Sequence, residues 1–208
     1  RREDVEALAA FARSHDLLVY TDEVYSELTY EGERVSIASL PGMKQRTIFL
    51  NGFSKAWSMT GFRLGFVCAP PDLTDAMMKI HQYGMMCASS ISQAAGLEAL
   101  RAGDGDVRAM RDSYALRRNY IVASLNEMGL DCFTPSGAFY VFPCIRSTGL
   151  SSEAFALRLL NEDNVACVPG TAFGACGEGF VRCSYATGMS QLKTAMERMG
   201  AFVARQRA

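Results

Sequence analysis

The feature that most constrains this chain is a short apolar run at 47–50 that ends in a cluster of polar and basic residues. The run, TIFL, is rich in residues that favour β-structure and predicts a buried strand. NGFSK follows at 51–55 and GFRLG at 61–65, so Ser54, Lys55 and Arg63 come soon after the strand ends. Burial would favour the neutral form of Lys55, which is the form that attacks a carbonyl carbon. The sequence therefore predicts a reactive lysine beyond a buried strand.

A second apolar run, LLVY at 17–20, predicts another strand that leads into TDEVY at 21–25. In open α/β sheets, ligands bind beyond the carboxyl ends of the parallel strands. We therefore expect polar groups that follow the two runs to face one pocket. These groups are Asp22, Tyr25, Ser54, Lys55 and Arg63.

These motifs resemble those of the class I and II aminotransferases, the pyridoxal-phosphate enzymes of fold type I. That family carries D-x-x-Y at a strand end, then S-K, then G-x-R-x-G. They stand here as DEVY at 22–25, SK at 54–55 and GFRLG at 61–65. Three more segments resemble motifs of its small domain: PSGAFY at 135–140, VPGTAFG at 168–174 and GFVRCS at 179–184. The resemblance covers the whole chain, and six motifs in order are far more specific than any one alone.

The resemblance implies an α/β fold, the C-terminal part of a fold type I transferase. It comprises part of the mixed, mostly parallel sheet of the large domain and a small α+β domain. Residues 1–102 are expected to belong to the large cofactor-binding domain, 103–129 to a long linking helix and 130–208 to the small C-terminal domain. Apolar residues at spacings of three and four between Val107 and Met128 also predict this amphipathic helix. Ser151 and Ser190 are predicted to cap the two helices that follow.

The resemblance also implies a set of roles around bound pyridoxal 5'-phosphate. Lys55 would hold the cofactor as an aldimine, a Schiff base, and move the substrate proton. Asp22, as a buried carboxylate, would keep the pyridine nitrogen protonated, and Tyr25 would donate a hydrogen bond to the phenolic oxygen. Ser54 and Arg63 would bind the phosphate, to which a guanidinium can make two hydrogen bonds.

Arg182 lies within FVRCSY at 180–185, a segment that predicts an apolar strand. A charge in the middle of a strand is costly to bury unless it is paired. The resemblance supplies the partner, since the matching arginine of the family binds the α-carboxylate of the substrate. The alternative is an arginine on an edge strand that faces water.

Each site residue also has a plainer interpretation when it is taken alone. Lys55 would be a surface lysine after a strand, Asp22 a turn or capping residue, and Tyr25 an aromatic residue of the core. Gly52 departs from the family, because many relatives have a second phosphate-binding serine there. The specific interpretation depends on the motifs occurring together.

The expected function is transfer of an amino group between an amino acid and a 2-oxo acid, in amino-acid metabolism. One alternative is a C–S lyase or decarboxylase that uses the same residues. A second is the effector-sensing domain of a transcription regulator. The family carries a comparable length before Asp22, with other cofactor-binding groups. We therefore expect a missing N-terminal half, a homodimer, and no activity from the 208 residues alone.

Composition narrows the other possibilities. A net charge of -1 favours neither nucleic acid nor a membrane surface as a partner, and no apolar run is long enough to span a bilayer. The seven cysteines show no C-x-x-C spacing and the chain has only two histidines, so no metal site is expected. Buried free thiols in the reducing cytoplasm are the expectation for the cysteines.

Overall fold

The computed structural model describes residues 1–207. They divide into two compact units, one from Arg1 to Arg111 and one that comprises the described residues from Asp112 onward. Each unit contains its own three-stranded sheet. The division expected from the resemblance, at 102 and 129, stays a prediction.

The first unit alternates helices and strands. Its elements are α1 (Arg2–Ser14), β1 (Val19–Asp22), β2 (Thr47–Gly52), α2 (Phe53–Ala56), β3 (Gly65–Cys68), α3 (Pro71–Gly84) and α4 (Ser90–Ala102). Short 3-10 turns connect them at Ser26–Leu28, Ile37–Ser39, Lys44–Arg46 and Thr60–Phe62. Helix α5 (Asp104–Glu127) begins in this unit and continues into the second, so the predicted long helix is confirmed.

The sheet of the first unit brings three chain segments to one edge. Strand β1 pairs with β2 in parallel, with Asp22 opposite Leu50, and β3 runs antiparallel to β2 with Gly65 opposite Gly52. Strands β1 and β2 therefore end, and β3 begins, at the same edge. The strand predicted at 17–20 starts later, because the Leu17 amide still donates to the Ala12 carbonyl of α1 (2.9 Å).

A small core lies between α1 and the segment before β2. It consists of the buried residues Ala9, Ala12, Leu40 and Met43, with Val5, Val19, Val35 and Ile37 packed around them. The two alanines stand three residues apart, which places them on one face of the helix. This core fixes the polypeptide that leads into β1.

The second unit is an antiparallel sheet packed with two helices. Its elements are β4 (Tyr140–Val141), α6 (Ser152–Asp163), β5 (Val168–Pro169), β6 (Val181–Ser184) and α7 (Met189–Arg207). The strand order is β4-β6-β5, so β6 is central. Helices α6 and α7 meet where the rings of Phe155 and Phe202 pack edge to face, 5.2 Å between centroids.

The two predicted helix caps have different outcomes. Ser151 caps α6, since its Oγ accepts from the Ala154 amide (3.2 Å). The prediction for Ser190 is wrong, because α7 starts one residue earlier and its first turn is closed by the Gly188 carbonyl, which accepts from the Leu192 amide (3.0 Å).

Candidate active site

The shared edge of the first sheet carries all five polar residues predicted from the strand ends. Asp22 closes β1, and Tyr25 directly precedes the turn Ser26–Leu28. Ser54 and Lys55 lie on α2, immediately after β2, and Arg63 lies just before β3. The parallel pairing of β1 and β2 and the antiparallel return of β3 are what place them together.

Lys55 belongs to a single helical turn rather than to the strand. Phe53 and Ala56 of this turn are buried, and Lys55 is half-buried. The Phe53 ring packs against those of Trp57 and Phe66, at 5.2 and 5.9 Å between centroids. The Nζ atom of Lys55 lies over the Tyr25 ring, 5.9 Å from its centroid. The packing of Phe53 thus anchors the turn that presents the amine to Tyr25.

Asp22 is exposed in the described part of the chain, so the expectation of a buried carboxylate is wrong there. The reason is its position at the end of β1, which is an outer strand of this sheet. Its Oδ1 accepts a hydrogen bond from the Val24 amide (3.1 Å), the geometry of an Asx turn. The Glu23 amide meanwhile donates to the Leu50 carbonyl (2.8 Å). The carboxylate therefore shapes the bend that leads to Tyr25.

Asn51 joins the two strand ends and was not predicted as a site residue. Its side chain is buried, its Oδ1 accepts from the Gly52 amide (2.7 Å), and its Nδ2 donates to Ser26 Oγ (3.4 Å). This bond connects the end of β2 to the turn after Tyr25. The available signal was a polar residue that closes an apolar run directly before the lysine motif.

The pair Gly52 and Gly65 gives a structural reason for the departure at 52. A Cβ on Gly52 would lie 3.3 Å from the Leu64 carbonyl oxygen, and a Cβ on Gly65 would lie 3.2 Å from the Asn51 carbonyl oxygen. Both distances are tighter than ordinary van der Waals contact. The backbones of β2 and β3 therefore approach too closely at this edge for a larger residue without a shift.

Arg63 is exposed and has a left-handed backbone, with φ +49° and ψ +46°. A residue with a side chain adopts this conformation at a cost of about 1 kcal/mol. Its Nη1 donates to the Thr60 carbonyl (2.8 Å), and the buried Ser92 of α4 donates through Oγ to the Phe62 carbonyl (2.7 Å). Two hydrogen bonds thus hold the strained turn. Ser92 was not predicted, because its partner is 30 residues away in the chain.

Ser54 is the half-buried residue directly before Lys55. Among residues 1–207, no group forms a hydrogen bond with its hydroxyl. Together with Arg63, Lys55 and Asp22, it brings a hydroxyl, a guanidinium, an amine and a carboxylate to the same end of the sheet. This set suits a small ligand that carries both a carbonyl group and an anionic group.

Arg182 lies on the central strand of the second sheet, so the interpretation as an edge-strand arginine is wrong. Its guanidinium carbon lies 4.6 Å from the ring centroids of both Tyr140 and Phe173. Within the described part of the chain, no carboxylate pairs with it. The guanidinium thus lies against two aromatic rings, and its N–H groups can still donate to a carboxylate ligand.

The thiols are less uniform than expected. All seven cysteines are free, but Cys68, Cys87 and Cys176 are exposed, and only Cys132 and Cys183 are buried. Burial raises the pKa of Cys132 to about 11 and that of Cys167 to about 12, so both stay protonated thiols near neutral pH. The described residues contain no cluster of three or more groups able to hold a metal ion. None of their helices is both long and apolar enough to cross a bilayer.

The chain is similar to known proteins over almost its whole length. The profile of the family described as aminotransferase class I and II matches residues 1–199. A putative aminotransferase of Bacillus subtilis, YugH, is 56% identical over 202 residues, which are 97% of this chain and 52% of the relative. An aspartate aminotransferase of Pyrococcus abyssi is 48% identical over 202 residues, 96% of this chain and 52% of the relative.

Among solved structures, an aromatic aminotransferase from Pyrococcus horikoshii superposes with a TM-score of 0.95 at 47% identity. The match covers 99% of this chain and 56% of that one. The predicted fold class, the C-terminal part of a fold type I aminotransferase, is confirmed by these matches. The chain spans about half the length of the curated relatives it matches.

Proposed function

Because the chain belongs to the class I and II aminotransferases, we propose that the protein carrying it transfers an amino group between an amino acid and a 2-oxo acid, with pyridoxal phosphate as cofactor. The observation that carries the proposal is the edge at which the Lys55 amine lies 5.9 Å from the Tyr25 ring centroid. Asp22, Ser54 and Arg63 stand at the same edge.

The residues at this edge fit the cofactor group by group. Lys55 provides an amine for the aldehyde, Arg63 and Ser54 provide donors for the phosphate, and Asp22 provides a negative charge for the pyridine nitrogen. When bound, the cofactor supplies an electrophilic carbon and a ring that withdraws electrons from the substrate Cα. The unpartnered Ser54 hydroxyl and the exposed Arg63 guanidinium support this assignment.

The chain's own residues then divide the work. Lys55 would take the proton from the Cα of the first amino acid and, in the reverse half of the exchange, give a proton to the Cα of the new amino acid. Tyr25 donates a hydrogen bond to the phenolic oxygen of the cofactor, and the charge of Asp22 keeps the pyridine nitrogen protonated. Arg182 binds the α-carboxylate of the substrate through two hydrogen bonds. The contacts of the Arg182 guanidinium carbon with two rings, each 4.6 Å from the ring centroid, support that last role.

We propose amino acids and 2-oxo acids as the substrate class without a narrower choice. An aspartate aminotransferase at 48% identity and an aromatic aminotransferase at 47% support two different side-chain preferences equally.

We further propose a homodimer in the cytoplasm. Support for the dimer comes from the exposed apolar side chains of Ile80, Tyr83, Met85, Met86 and Ile91, and seven free thiols suit a reducing compartment.

The test of the anchor uses the full-length protein loaded with pyridoxal phosphate. Borohydride reduction and peptide mapping should place the label on Lys55, and Lys55→Ala should abolish it. A label on Lys44, Lys79 or Lys193 would exclude the assignment. Incubation of an amino acid with 2-oxoglutarate should then yield glutamate, whereas release of ammonia without glutamate would favour a lyase.

A further inference from the structure

The Tyr140 ring that flanks Arg182 is delivered by a strained turn. Ala138, two residues before Tyr140, has φ +60°, in the left-handed region that residues with a side chain rarely adopt. Tyr140 begins β4, and the centroid of its ring lies 4.6 Å from the guanidinium carbon of Arg182. Strain of this kind persists only where the surroundings hold it, and it concentrates at functional sites.

Buried polar side chains hold this turn at both ends. Tyr185 is fully buried, and its hydroxyl donates to the Ala138 carbonyl (3.1 Å). Its amide donates to the Phe139 carbonyl (3.0 Å). Arg118 is 6% exposed and donates through Nη1 to the Pro135 carbonyl (3.0 Å). A phenol and a guanidinium are costly to bury without such bonds, so their burial here is tied to the turn.

The same residue connects the turn to the arginine strand. Tyr185 directly follows β6, three residues after Arg182, and Ser184 of β6 lies opposite Tyr140 of β4. If the hydroxyl were absent, Ala138 would lose the bond that opposes its relaxation to negative φ. The backbone that leads into Tyr140 would then change direction, and the Tyr140 ring would move away from the guanidinium of Arg182.

We propose that Tyr185 is a positioning residue for substrate binding. Its hydroxyl holds Ala138 in the left-handed conformation, and this turn sets Tyr140 against Arg182, which orients the guanidinium toward a substrate carboxylate. The inference rests on the proposed role of Arg182. Tyr185 is itself fully buried, so it would act through this turn and not by contact with the substrate.

The experiment uses the full-length protein with Tyr185→Phe, assayed with L-aspartate or L-phenylalanine, whichever the wild type turns over faster. The KM for that amino acid should rise about tenfold, the effect of losing one buried hydrogen bond that opposes strain. The kcat and the cofactor absorbance should stay unchanged. Addition of Ala138→Gly should restore the KM, because glycine adopts positive φ without cost and the hydroxyl is then unnecessary.

Tyr114→Phe is the matched control. Its ring lies 6.5 Å from that of Tyr185 and 5.5 Å from that of Phe139, but its hydroxyl makes no hydrogen bond to the described residues. The KM of this variant should equal that of the wild type.

The outcomes separate the inference from the function it rests on. An unchanged KM in Tyr185→Phe, or a raised KM that Ala138→Gly does not restore, overturns the positioning role. If Arg182→Lys raises the KM in the same assay, the proposed role of Arg182 survives that result. If Arg182→Lys leaves the KM unchanged, the carboxylate site itself is wrong, and the positioning role is overturned with it.

Discussion

The Nζ atom of Lys55 lies over the ring of Tyr25, 5.9 Å from the ring centroid. The two residues come from different strand ends, and Asn51 ties these ends together through Ser26 Oγ (3.4 Å). The aromatic face can stabilise a cation, whereas in the proposed site the hydroxyl would donate a hydrogen bond to the cofactor. Tyr25 therefore has two separable functions in the proposed site.

Tyr25→Phe separates these two functions, because it keeps the ring and removes the hydroxyl. In the proposed site a hydrogen bond from Tyr25 would stabilise the deprotonated form of the cofactor's chromophore, so its loss should raise the pH at which the bound cofactor changes colour. The measurement is a visible-absorbance titration of the full-length protein. Tyr20→Phe, on an exposed side chain of β1, is the control and should leave the midpoint unchanged. An unshifted midpoint in Tyr25→Phe would exclude the hydroxyl's role.

Asp22 offers a comparison of charge against backbone structure. In the wild type, the Val24 amide donates to Asp22 Oδ1 (3.1 Å). Asp22→Asn keeps an oxygen that can accept this hydrogen bond but removes the charge, whereas Asp22→Ala removes both the acceptor and the charge. If the charge holds the ring nitrogen protonated, both variants should lose about 10³-fold in kcat. Comparable cofactor binding in the two variants would show that the site is still formed. Near-normal turnover in Asp22→Asn would reduce the carboxylate to a turn-forming group.

Arg182→Lys keeps the positive charge and removes the planar fork that binds a carboxylate through two hydrogen bonds. The KM for amino acids should rise about tenfold or more, since one directional bond replaces two. Steady-state kinetics of the full-length protein measure it. Arg158→Lys is the control, because that arginine also lies near a ring, 5.8 Å from the Phe202 centroid, but pairs with Glu162 on the surface. Equal KM values in the two variants would contradict the proposed role of Arg182.

Ser92 tests whether the strained turn of Arg63 matters for the phosphate. Ser92→Ala leaves the Phe62 carbonyl without its 2.7 Å hydrogen bond, so Arg63 should lose its fixed orientation. The dissociation constant for pyridoxal phosphate should rise about tenfold, the order expected for one buried hydrogen bond. Equilibrium dialysis measures it directly. Ser90→Ala, at an exposed position of the same helix, should bind as the wild type does.

Local sequence was sufficient to predict the strand around 47–50 and the long helix after Val107, because each depends on a pattern of adjacent residues. The apolar run at 47–50 lies within β2, and the periodic apolar residues after Val107 lie within α5. The exposure of Asp22 could not be predicted this way, since it depends on which strand is the outermost one of the sheet.

The supporting hydrogen bonds were equally invisible in the sequence. Ser92 meets its partner across 30 residues and Tyr185 meets Ala138 across 47, and neither residue type is distinctive in its own segment. Gly52 is a third case, because the tight approach of the Leu64 carbonyl oxygen, 3.3 Å from the position of a Cβ, is visible only in the folded chain. Motifs predicted the groups that would meet a ligand, while tertiary structure was needed for the groups that hold them.

The last prediction concerns the 208-residue polypeptide when it is produced without any further sequence. Large apolar side chains of its first unit are strongly exposed: Leu8 60%, Phe11 56%, Leu18 63%, Tyr20 64% and Tyr83 87%. Exposed patches of this kind favour association. The relatives carry about as much sequence again beyond the matched region. We expect this polypeptide to self-associate and to show no transamination.

Light scattering and a glutamate-forming assay of the purified polypeptide test this expectation. Because a trace of host aminotransferase would mimic activity, the control is the same preparation with Lys55→Ala. Turnover that disappears in this variant would belong to the chain itself and would contradict the prediction. Activity that is equal in both preparations would come from the contaminant.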